Sequence, residues 1–143
     1  MNSLPKISLA LLLLFLAACA NNPPLHPQTE ISSGELSLLQ AAYDVNHYTL
    51  HIEVQPDRRF LIGEVEMRAM SLEPLSQIEI DLDPRYSIQT VKINDEIANY
   101  TKHGGKLVLS GHDIAANSTF TTSVSYRGRP YIAENPPWDG GFV

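Results

Sequence analysis

Apolar and polar positions alternate with a period of two along most of the chain after residue 42. In the stretch from Tyr43 to Pro56, Tyr48, Leu50, Ile52 and Val54 fall on one side, and His47, Thr49, His51 and Glu53 on the other. Successive side chains of a strand point to opposite faces, so residues 43–54 are expected to form a strand with one dry and one wet face. Pro56-Asp57-Arg58-Arg59 reads as a turn. A second strand is expected over 60–71, where Val65, Met67 and Ala69 alternate with Glu64, Glu66 and Arg68. Glu73-Pro74-Leu75-Ser76 breaks the pattern. In the third strand Ile78, Ile80 and Leu82 alternate with Glu79, Asp81 and Asp83, up to Pro84. Residues 88–94 give a fourth, with Val91 and Ile93 inward, ending at the polar turn Asn94-Asp95-Glu96. A fifth covers 98–102. His103-Gly104-Gly105 is a hairpin signal, because glycine supplies the positive φ that tight turns need. A sixth strand covers 106–110, a loop 111–118, and Phe120, Thr122, Val124 and Tyr126 mark a seventh. Leu36, Leu38 and Leu39 leave residues 31–42 open between a short helix and an extended cover for the sheet.

Seven short alternating strands separated by Gly, Pro, Asn and Asp predict an all-β antiparallel sandwich or barrel. No segment beyond Ala42 carries a long 3.6-residue period. The 143 residues suffice for one domain.

The N-terminus reads as an export signal. Met1 to Lys6 is a short, weakly basic head, and Ile7 to Ala18 is an unbroken apolar run. A membrane-spanning helix needs about 20 apolar residues, so this run is too short to span and fits the hydrophobic region of a secretory signal. It ends in Leu16-Ala17-Ala18-Cys19, and Cys19 is the chain's one cysteine. These four residues resemble the lipobox of bacterial lipoproteins. The resemblance implies a signal peptide over 1–18, cleavage before Cys19, and lipidation of Cys19. An ordinary signal with an incidental cysteine is the alternative. A lone exported thiol cannot close an internal disulfide, and lipidation would consume it. Two or more acyl chains anchor stably where one does not. Asn21 and Ala20 follow the cysteine in place of the aspartate that retains such proteins in the inner membrane, which points to an outer-membrane lipoprotein facing the periplasm. Residues 19–42, with three prolines between Ala20 and Thr29, read as a tether.

Removing residues 1–18 removes Lys6 and leaves nine basic and sixteen acidic residues, a formal charge of −7. Arg58-Arg59 and Arg127-x-Arg129 are the densest basic spots. Nucleic-acid binding needs several phosphates neutralised together, so no nucleic-acid partner is expected. His47 and His51 have the helical zinc spacing. On a strand, however, they stand ~13 Å apart, too far to share a metal, and they read as polar side chains on the wet face. Asp81 and Asp83 would lie ~6.6 Å apart on one strand face, a spacing a glycosidase could use. With nothing to mark a sugar cleft, they read as a solvated face. Asn117-Ser118-Thr119 fits the glycosylation pattern, which a bacterial lipoprotein does not use. Gly104-Gly105 and Gly140-Gly141 are not followed by the Lys-Ser/Thr of a phosphate loop.

Several segments together are similar to the N-terminal domain of the aminopeptidase N family of zinc metallopeptidases, relatives of leukotriene hydrolase. Tyr43-Asp44-Val45-x-His47-Tyr48-x-Leu50-x-Ile52-x-Val54-x-Pro56 resembles that domain's first strand, and Gly63-x-Val65-x-Met67 its second. Ile80-Asp81-Leu82 resembles the third, and Val124-x-Tyr126-x-Gly128-x-Pro130 a strand near the end. Pro136-Pro137-Trp138-Asp139-Gly140-Gly141-Phe142-Val143 resembles the segment that follows in bacterial members. The match covers 43–143. It implies a saddle-like β-sandwich over 43–143, truncated at its C-terminal end, of the kind that packs on a thermolysin-like catalytic domain. Catalysis in that family uses His-Glu-x-x-His on a helix plus a downstream glutamate around one zinc. That motif does not occur in this sequence, nor does the Gly-x-Met-Glu-Asn substrate motif.

The expectations are therefore a non-catalytic domain with no catalytic or metal site and no cofactor of its own, where full-length relatives hold zinc. Cys19 is its one functional residue, as the lipidation site. Its partners are the membrane, through Cys19, and a catalytic domain encoded separately. The alternative is a free-standing lipid-anchored β-sandwich binding module, in which Trp138 and Phe142 would be docked on the domain.

Overall fold

A computed structural model describes residues 36–136. One helical turn, α1 (Leu38–Ala41), opens it. Ser37 caps the turn by accepting from the Gln40 backbone N–H, and the Gln40 side chain accepts from the Ser37 N–H. Eight strands follow among the described residues: β1 (Tyr43–Gln55), β2 (Phe60–Ser71), β3 (Leu75–Asp81), β4 (Ser87–Ile93), β5 (Glu96–Ile97), β6 (Asn99–His103), β7 (Lys106–Ile114) and β8 (Thr119–Gly128). They form a five-stranded sheet in the order β1-β2-β8-β4-β5 and a three-stranded sheet in the order β3-β7-β6. Every pairing is antiparallel. The fold is all-β, as the alternation predicts.

The two sheets bury their inward rows against each other. The larger contributes Met67, Ala69, Val91, Ile93, Phe120 and Val124, and the smaller Ile78, Leu107, Leu109 and Ile114. Tyr43 meets Phe120 edge to face, with ring centroids 5.9 Å apart. The predicted inward residues of β2, β4 and β8 therefore face the core.

The structure departs from the sequence reading in five places. β3 begins at Leu75, inside the segment read as a break, and ends at Asp81, short of Pro84. The strand expected over 98–102 forms as β6, and ahead of it Glu96 and Ile97, at the end of the expected polar turn, add the short β5 in the other sheet. The two strands part at Ala98, which is buried and donates its N–H to the Val91 carbonyl at 3.0 Å. The predicted loop 111–118 begins later, because β7 runs on to Ile114. Gly111, at φ +104°, carries the strand through a register shift opposite Leu75 and Gln77 and brings Ile114 into the core. A bulge between Val45 and His47 moves β1 by one residue relative to β2. Tyr43 and Val45, at odd positions, therefore share a face with Tyr48 and Leu50, at even ones. Finally, the row expected to be dry is not: Tyr48, Leu50, Ile52 and Val54 are 50–59% exposed. They sit on the core side of the sheet, opposite Met67, Val65, Gly63 and Leu61, but the smaller sheet has three strands against five and leaves this edge uncovered.

Candidate functional site

The feature that stands apart is this open face of the larger sheet. It begins at a cleft of about 240 Å³ between the sheets, lined by Tyr43, Tyr48, Met67, Ile80, Leu82 and Tyr126 among others. From there the apolar row of β1 continues along the sheet edge. Gly63 shapes the floor, because a Cβ there would stand 2.5 Å from the Tyr126 ring, which lies over the glycine. The cleft is below the ~300–1,000 Å³ of small-molecule sites. Its polar groups are also committed. The Tyr43 hydroxyl donates to the Glu79 carbonyl at 2.6 Å, and burial pushes its pKa far up, so it stays a neutral phenol. Asp81 at the rim accepts from Lys106 Nζ at 2.9 Å. Lys106 also reaches Glu79 Oε1 and Gln40 Oε1, each at 3.2 Å, and so ties α1 to the ends of β3 and β7. The Asp81 hydrogen bond is the first cause holding its pKa up. The arrangement can bind an apolar surface. It offers neither an activated nucleophile nor a free acid–base pair.

The residues weighed from the sequence are kept apart by the fold. His47 and His51 are exposed on the outer face of β1, opposite Arg68 and Glu64 of β2. Asp81 closes β3, whereas Asp83 lies beyond the strand, where it accepts from the Arg85 backbone and guanidinium. The Arg85 hydrogen bond is the first cause that lowers the Asp83 pKa. Each carboxylate is thus bound to a different cation. Gly104-Gly105 makes the β6–β7 turn, with Gly104 at φ +56°. Asn117 sits in the turn before β8 with its N–H on the Ser71 carbonyl.

Among the described residues, no group of three or more His, Cys, Asp or Glu could hold a metal ion. The zinc of the resembling family does not fit the residues described. Nor is any described helix long and apolar enough to cross a membrane. Cys19, the lipobox, the tether up to residue 35, Trp138, Gly140-Gly141 and Phe142 lie outside the described residues.

Sequence reasoning missed the open face, since alternation marks a row as apolar without saying what covers it. The length of β1, 13 residues, does not single it out, since β2 beside it runs for 12.

No family model and no curated protein matches the sequence. Solved structures do. A variant M1 zinc metallopeptidase from Deinococcus radiodurans, bound to a Tyr-Ser-Ala substrate, is 26% identical with a TM-score of 0.58, over 68% of this chain and 22% of that one. A two-domain M1 zinc metallopeptidase variant bound to L-tryptophan is 25% identical with a TM-score of 0.57, over 68% and 23%. Native yeast LTA4 hydrolase shares the fold at 21% identity and a TM-score of 0.52, over 61% of this chain and 14% of its own. The chain thus spans less than a quarter of the length of each. In fold, the described domain matches the N-terminal part of M1 zinc metallopeptidases, the family its strand motifs resemble.

Proposed function

We propose that this chain serves as the non-catalytic N-terminal domain of an aminopeptidase N-like zinc metallopeptidase lipoprotein. The parent activity is removal of N-terminal amino acids from peptides. The carrying observation is that the described domain matches the N-terminal part of M1 zinc metallopeptidases over less than a quarter of their length, in a sequence without His-Glu-x-x-His. In this reading lipidated Cys19 holds the sandwich at the outer membrane, facing the periplasm. A catalytic domain encoded separately supplies the zinc and the chemistry. The domain alone then binds no zinc and hydrolyses no aminoacyl anilide. Purified protein should show no chelator-sensitive hydrolysis of an alanyl anilide and no stoichiometric zinc by elemental analysis. Chelator-abolished turnover would overturn the reading. Lipidation is tested separately, by labelled fatty acid entering the full chain and failing to enter Cys19→Ser.

The exposed row on β1 favours a second reading, a free-standing lipid-anchored binding module. Trp138 is the chain's one tryptophan. In the module reading its fluorescence is blue-shifted and shielded from iodide. In the domain reading it is that of a water-exposed indole.

A further inference from the structure

β1 is an edge strand as well as the carrier of the exposed row. β2 is its one neighbour in the larger sheet, and among the described residues its other edge pairs with no strand. Natural sheets shorten such edges, place lysine or proline on them, or cover them. Here the edge runs for 13 residues without a lysine or arginine. The bulge after Val45 lies near one end and the turn at Pro56 at the other, which leaves 47–55 as a regular ladder.

We propose that this edge pairs with the same edge of a second copy of the chain, antiparallel, about a two-fold axis at Leu50. A two-fold contact presents one patch to itself, and two strand edges so related run antiparallel in one continuous sheet. With the axis at Leu50, Leu50 faces its own copy and Tyr48 faces Ile52 of the other chain. Six half-exposed apolar side chains then close into one patch. On the outer face Glu53 of each copy comes opposite His47 of the other, where Arg68 stands beside His47 on β2. The registers one and two residues further along β1 are worse. An axis at His51 sets the two His51 side chains against each other. An axis at Ile52 sets Glu53 against His51, which has Glu64 beside it, and runs Tyr48 into the turn at Pro56. Opposite charges across a strand pair stabilise and like charges oppose, so the complementarity selects Leu50. This dimer goes beyond the metallopeptidase reading, and the assays for zinc and hydrolysis are read independently of it.

Residues 20–143 hold the whole described domain and no cysteine, so one introduced thiol reports the register. Sedimentation equilibrium should show the mass doubling as concentration rises. Leu50→Lys should stay monomeric with an unchanged circular dichroism spectrum. Leu50→Cys should form a disulfide-linked dimer under mild oxidation, because facing Cα atoms lie about 4.5–5.5 Å apart, within disulfide range. Ile52→Cys stands ~14 Å from its copy and should not cross-link. A wild type that is monomeric at every concentration would overturn the proposal, as would a Leu50→Lys dimer, or cross-linking of Ile52→Cys as fast as Leu50→Cys.

Discussion

Single side chains close the ends of this sandwich, and Ser71 does most at its site. Fully buried at the end of β2, it donates its hydroxyl to the Ala115 carbonyl at 2.6 Å and accepts the Ser118 N–H at 3.0 Å. Its backbone N–H reaches the Ser118 carbonyl, and its carbonyl takes the Asn117 N–H. The turn before β8 is thereby fastened to β2, with Asn117 held at φ +56°. Ser71→Ala removes the hydroxyl and leaves buried backbone groups short of a partner. We expect a loss of about 1–3 kcal/mol, read as a lower urea midpoint at unchanged slope. Gly63 is a second such position. Gly63→Ala drives a methyl into the Tyr126 ring, which also packs on Tyr86 at 5.1 Å. A loss of about 1–3 kcal/mol is expected in the wild-type background. In Tyr126→Ala the same change should cost a small fraction of that, and an equal loss in both backgrounds would refute the clash. Neither role was readable from the sequence. Alternation places Ser71 inward, but where its hydroxyl goes depends on a turn more than forty residues away.

At the scale of whole strands, the two apolar rows of the sandwich should differ sharply in what they contribute. Leu107 and Leu109 of β7 are fully buried, whereas Leu50 of β1 is 59% exposed. Leu109→Ala is expected to cost ~2–5 kcal/mol, with its cavity added to the lost transfer energy. At a concentration where the chain is monomeric, Leu50→Lys should change stability by less than about 0.5 kcal/mol, since surface positions away from special contacts rarely do more. Urea titration of both variants at that concentration checks this, and a large loss for Leu50→Lys there would mean that the row is packed within the single chain. The same contrast shows why part of the fold was legible. β2 and β8 follow the period of two that pleating imposes, as does β4 after a register shift between Ile88 and Thr90, and their inward residues Met67, Val91, Ile93, Phe120 and Val124 can be read from it. What escaped was local geometry that breaks the period or coverage that lies outside it. The bulge before His47 adds one residue, Gly111 bends β7 without ending it, and Ala98 parts β5 from β6, which lie in different sheets. The exposure of the β1 row depends on the width of the opposing sheet, a tertiary quantity with no local signature.

For the molecule as a whole, the buried hydroxyls set how it responds to alkali. Burial is the first cause raising the pKa of Tyr43, Tyr86 and Tyr126, and the hydrogen bond to Asp81 leads in raising that of Lys106. A group whose folded pKa lies above its unfolded value holds its proton longer in the folded state. Its contribution is complete below the unfolded value, near 10 for tyrosine, and is lost as pH climbs toward the folded one. Asp83 acts in the opposite direction. Its pKa is lowered by Arg85, so its contribution is present above about 4 and fades on acidification. Thermal unfolding should therefore be nearly level through neutral pH and fall steeply above about pH 10, with tyrosinate absorbance from the buried rings rising together with unfolding. Tyr43 has the largest shift and the deepest ring of the three. Tyr43→Phe gives up the bond to the Glu79 carbonyl, which should lower stability at neutral pH by about 0.5–1.5 kcal/mol. The same variant can no longer ionise there, so its decline above pH 10 should be shallower than that of the wild type, and the two curves should converge. Parallel curves would show that the alkaline sensitivity arises elsewhere in the sandwich.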